Sequence, residues 1–205
     1  LIGNKPSRKP VLTKRQKPIR TCMDEIGWEF MPNPNENKYN LKGFGYFKTL
    51  EVDVVQNRAE GLVNDQKLEF LDLEYHKGEF IAKESLRASI LVIKGFDEMP
   101  SFILDKENLF DKIASAAGFK DINFTEHTDF SNRFHLTGKN KKLVKKFFVK
   151  ELILFFEQNP PYHIESHMGN LILFEKERLS SLSEIKLMVN FAIRLTEIIQ
   201  RIQKE

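Results

Sequence analysis

Residues 129–156, DFSNRFHLTGKNKKLVKKFFVKELILFF, constrain the fold more than any other stretch. Arg133, Phe134, His135, Leu136 and Thr137 alternate polar and apolar, the pattern of a half-buried strand. Gly138 permits a turn where a Cβ would be strained. Thr137 and Asn140 both suit a helix N-cap. From there Leu143, Val144, Phe147, Phe148, Leu152 and Phe155 fall on one side of a helix. Lys141, Lys142, Lys145, Lys146 and Lys150 fall on the other. The run LILFF after Lys150 has almost no polar face, so this half should be buried on most sides. Asn159, Pro160 and Pro161 end the helix, because proline lacks an N–H and clashes with the preceding turn. The spacing therefore predicts one helix over 140–158.

Upstream, a helix is expected to start near Pro18, run through Met23 and Ile26 and end at Gly27. Strands follow over 52–63 and 67–75, joined by a turn at Asn64-Asp65-Gln66. Lys77-Gly78 turns the chain into a third strand over 80–93, in which Ser89 to Ile93 reads as a central strand, apolar on both faces. Phe102 to Leu104 is a short strand, and Asp105 suits the cap of a helix near 106–117. Ile122 to Phe124 reads as another strand. Beyond Pro161, Tyr162–His167 and Leu171–Glu175 flank a hairpin at Met168-Gly169-Asn170. Ser181 and Glu184 form a capping box, opening a helix near 183–203 that is expected to pack on the domain's own sheet. The fold class implied is α+β: a largely antiparallel sheet with about three main helices packed on it.

Charge divides the chain unevenly. Seven of its 32 Lys and Arg fall in the first 20 residues, where there is no acid, leaving 25 basic against 29 acidic residues in the rest. Residues 1–17 read as a basic tether or juxtamembrane linker, with 18–205 as a single domain. The acidic body argues against a nucleic-acid surface. The 18 Phe imply a core filled by bulky rings. Cys22, the single cysteine, excludes an internal disulfide and reads as a buried thiol.

Four short pieces carry a resemblance: NRAEG at 57–61, FLDLEY at 70–75, MPSFIL at 99–104 and DFSNRFHL at 129–136. In their order they resemble an uncharacterised bacterial family of membrane-anchored proteins, whose members carry transmembrane helices followed by a cytosolic α+β domain of unknown function. The resemblance implies a domain on the cytoplasmic side of the membrane, anchored by a segment upstream of Leu1. It supplies no catalytic residues.

Several constellations invite chemistry. His163, Glu165 and His167 share one face of a strand, as two imidazoles and a carboxylate of a metal site do. The plainer reading is the exposed polar face of a hairpin. Asp72 and Glu74 likewise share a face, with Asp53 on the neighbouring strand, as carboxylates holding Mg²⁺ would. Solvent-facing acids are the plainer reading there. Glu126, His127, Asp129 and Ser131 cluster without the Gly-x-Ser-x-Gly elbow of a hydrolase. Gly43-Phe44-Gly45 lacks the third glycine of a dinucleotide fingerprint and reads as a loop turn.

The lysine face at 141, 142, 145, 146 and 150 suits an anionic partner, either lipid headgroups or an acidic protein. Residues 1–20 suit an anionic membrane surface. The sequence thus points to a non-enzymatic domain acting through protein or membrane-surface contacts, with no cofactor implied. A metal-dependent hydrolase or nuclease is the alternative.

Overall fold

The computed structural model describes residues 11–34, 39–77, 85–106, 120–175 and 177–204. The expected helix over 106–117 lies almost wholly outside them, as do residues 80–84 of the third expected strand. Nine described strands form one sheet in the order β1-β2-β3-β4-β9-β8-β5-β7-β6. They are β1 (Glu29–Met31), β2 (Leu50–Val63), β3 (Gln66–Lys77), β4 (Leu86–Lys94), β5 (Phe102–Asp105), β6 (Lys120–Asp121), β7 (His135–Gly138), β8 (His163–His167) and β9 (Asn170–Phe174). Every pairing is antiparallel.

The β2–β3 hairpin closes through Asn64 and Asp65, with φ of 46° and 70°. These left-handed values match the strands' twist, and Asn and Asp tolerate them. Strand β4 is buried from Ala88 to Ile93, as its apolar run predicts. The β8–β9 hairpin inserts between β4 and β5, so strands close in sequence are separated in space.

Alternation along the strands divides the core in two. Leu68, Phe70, Leu91, Ile93, Leu104, Leu136, Ile164 and Leu173 meet the helices on one face. Leu71, Leu73, Tyr75, Ile90, Val92, Ile103, Ile172 and Phe174 meet Leu41, Phe44, Tyr46, Phe47 and Leu50 on the other. The second layer is thus irregular chain around 41–50.

Five helices are described, more than the expected three: α1 (Gln16–Glu25), α2 (Thr128–Arg133), α3 (Lys141–Phe147), α4 (Lys150–Gln158) and α5 (Leu182–Lys204). Helix α1 starts slightly before Pro18 and closes at Gly27, whose φ is 75°. Residues 128–133 are helical rather than the lead-in to a strand, and β7 begins only at His135. The single helix expected over 140–158 is broken: Phe148 has ψ 67° and Val149 is extended at ψ 163°. The break lets Phe147 and Phe148, adjacent in sequence, both be buried. Phe148 packs edge-on to Phe102 at 5.0 Å and stacks with Phe156 at 5.9 Å. Leu143, expected inside, is exposed instead.

Gly138 serves close packing rather than a turn. It ends β7, and a Cβ there would lie 2.6 Å from Val144 Cγ2. Its bare backbone lets α3 seat against the sheet. Asn140 and the Ser181–Glu184 pair cap as expected, whereas Thr137 lies inside β7 and caps nothing. Asn140 Oδ1 accepts from Leu143 N at 3.1 Å, while Glu184 N and Ser181 N exchange bonds with the Ser181 and Glu184 side chains. Helix α5 buries Ile185, Met188, Ala192, Leu195 and Ile199 against the sheet and α4. No helix of the described residues is long and apolar enough to cross a membrane.

Candidate functional site

The lysine face exists, on α3 and the start of α4. Val144 and Phe147 anchor α3 to the core, and Lys141, Lys142, Lys145, Lys146 and Lys150 are all exposed. Lys141 Nζ donates to Asp121 O at 3.0 Å, and Lys145 Nζ lies 5.6 Å from the centre of the Phe124 ring. Among the described residues none of the five has a carboxylate at ion-pair distance. Two apolar side chains share this surface: Leu143 is 52% exposed and Val149 37%. The ridge sits by β7, next to the last strand of the sheet, whereas α1 packs by β1 and β2 at the other end. Six strand spacings separate β2 from β7, about 29 Å.

The strand face at 163, 165 and 167 points inward, not to solvent. His163 and Glu165 are buried against the 41–50 layer, correcting the expected exposed hairpin face. His163 Nε2 is 2.8 Å from Glu165 Oε1. Its Nδ1 is 3.0 Å from Asp105 Oδ2, an ion-pair contact without hydrogen-bond alignment. Glu165 also accepts from Gly45 N at 2.5 Å and Tyr46 N at 2.8 Å. Burial alone would push the His163 pKa down, but the two carboxylates outweigh it and raise it to about 9. His167 is only partly buried and meets Phe44 edge-on at 6.0 Å. Among the described residues no three His, Cys, Asp or Glu are grouped so as to hold a metal ion. What the cluster does is fasten irregular chain to the sheet. Tyr46 extends it, its hydroxyl meeting Tyr75 at 3.1 Å and Glu177 at 2.5 Å. Burial, then the bond to Glu177, raises the Tyr46 pKa, so the phenol stays protonated.

Asp72 is not solvent-facing either. Arg15 holds it with Nε–Oδ2 at 2.7 Å and Nη2–Oδ1 at 2.9 Å. Asn57 and Ser89 donate to it as well, both at 2.6 Å. Glu74 instead bonds Ser85 and Arg87, and Asp53 meets His76, so the three acids do not converge. The Ser131 hydroxyl is taken up by the backbone of Phe124. Cys22 is buried, which raises its pKa. Gly43-Phe44-Gly45 is loop, as expected, but the Gly45 N–H has a definite role in holding Glu165.

Sequence reasoning missed a further cluster. Glu69, fully buried, meets Tyr39, Arg58, Lys67 and Lys94. Burial opposes its charge, yet Lys94 and the other partners hold its pKa down at about 2. The available signal was an acid within an apolar strand, which requires cations around it once buried.

No protein-family model matches the sequence, and neither does any curated protein. The fold is similar to that in the crystal structure of the mycobacterial trehalose monomycolate transport factor A, TtfA. The TM-score is 0.60 over 91% of this chain and 94% of that one, at 8% identity. At that identity the likeness is one of fold alone.

Proposed function

We propose that this chain is a non-enzymatic domain of a bacterial membrane-anchored protein, on the cytoplasmic side, acting through contacts with a protein or a membrane surface. The observation that carries the reading is the α3 ridge: five exposed lysines without a carboxylate partner among the described residues. Unneutralised like charge on a short helix is unfavourable for the free molecule and is relieved by an anionic partner. The seven basic residues among the first 20, with no acid between them, give the chain a second positive stretch. The acids of the two candidate metal clusters support the same reading: Asp72, Glu74 and Asp53 bond Arg15, Ser85 with Arg87, and His76, and Glu165 bonds His163. The fold likeness to a mycobacterial transport factor is compatible with a non-enzymatic role.

Binding to anionic surfaces tests this. The chain should bind phosphatidylglycerol-containing vesicles or immobilised polyglutamate at low salt and release them as screening rises. Absence of binding to both at low salt would contradict it.

A further inference from the structure

We infer that α3 and Val149 form a docking surface for an anionic lipid headgroup layer, with Leu143 and Val149 reaching past the lysines into the interfacial region. This rests on the contact reading above and names its partner.

Two observations favour a lipid surface over an acidic protein. The ridge contains only lysines, which act as mobile point charges and suit a diffuse field of headgroups. Arginine forks would be expected where individual carboxylates of a protein are gripped. Leu143, 52% exposed between Lys142 and Lys145, is unfavourable in water but suits the boundary between headgroups and acyl chains. Lysine stems can lie along such a boundary while their charges stay at the headgroups. The underside of α3 is fixed by Val144, Phe147 and the Asn140 cap. The surface is therefore preformed, and docking costs little ordering entropy. With only seven residues, α3 is about 10 Å long, so the contact should be weak and reversible.

The test is co-sedimentation of the full chain with phosphatidylcholine vesicles, alone or mixed with phosphatidylglycerol, and in parallel binding to polyglutamate. The variants are Lys142→Gln with Lys146→Gln, Leu143→Ser, and Lys5→Gln with Arg8→Gln and Lys9→Gln. Lys142, Leu143 and Lys146 are exposed, and matched urea midpoints would verify folding of all three variants. The ridge variant should lower partitioning onto anionic vesicles about 30-fold, at about fivefold per lysine. Leu143→Ser should lower it several-fold while leaving polyglutamate binding unchanged. Polyglutamate binding without vesicle binding would overturn the lipid inference and leave the contact reading standing. Vesicle binding lost in the tail variant but unchanged in the ridge variant would do the same. Failure to bind either probe would overturn both.

Discussion

Arg15 grips Asp72 across 57 residues of sequence, with two bonds of 2.7 and 2.9 Å. The same guanidinium donates to Ser180 O at 2.7 Å. One side chain thereby ties the start of α1 to the middle of β3 and to the chain entering α5. Arg15→Ala would leave Asp72 buried with only Asn57 and Ser89. The expected loss is about 2–3 kcal/mol, under the roughly 3–5 kcal/mol of a fully buried pair, since Arg15 is partly exposed. Urea unfolding measures it, and a loss below about 0.5 kcal/mol would show that the pair is dispensable.

Phe130 and Phe134 flank the end of α2, with ring centres 5.3 Å apart, and both meet Phe156. Phe134→Ala should cost about 3–5 kcal/mol, the usual effect of emptying a buried ring site. A denaturation midpoint close to that of the parent protein would place Phe134 outside the core.

The break between α3 and α4 makes an unusual tolerance testable. Lys150 is the first residue of α4, where proline's fixed φ fits and its missing N–H is not needed. The residue before it, Val149, is already extended, as a pre-proline residue prefers. Lys150→Pro should therefore cost less than about 1 kcal/mol, whereas in a continuous helix it would cost about 3 kcal/mol. Thermal or urea unfolding of this variant distinguishes the two.

His163 makes stability depend on pH. Its folded pKa is raised to about 9 by Asp105 and Glu165 against the pull of burial. The unfolded value is about 6.5. The stabilisation is complete below the unfolded value and is lost as pH rises through the folded one, on the order of 3 kcal/mol across that window. Urea midpoints at about pH 6 and about pH 9.5 should differ more in the parent protein than in His163→Gln. Equal slopes would contradict the charged cluster.

Local features of this fold were legible because their causes are local. Asn64-Asp65 marked the hairpin, Asn140 and the Ser181–Glu184 pair marked helix starts, and Ser89 to Ile93 marked a buried strand. The break after Phe147 was not legible, because it is set by burial of two adjacent rings in a core assembled from distant strands. The insertion of β8 and β9 between β4 and β5 is likewise a long-range choice. The polar residues deceived for the same reason. Alternation placed His163 and Glu165 on one face correctly, but the N–H groups that receive Glu165 lie 119 and 120 residues away. The lysine ridge was legible because nothing from elsewhere in the described chain covers it.

A probe at position 143 tests the central claim most directly. Cys22 is buried, so Leu143→Cys can be labelled selectively with an environment-sensitive fluorophore. Leu187→Cys is the control: Leu187 is also exposed, but it lies on α5 beside Lys186, which faces Glu25 of α1. Phosphatidylglycerol-containing vesicles should shift the emission at 143 to the blue, with no shift at 187 and none with phosphatidylcholine alone. An unchanged spectrum at 143, or equal shifts at both positions, would contradict the assignment of α3 as the contact surface.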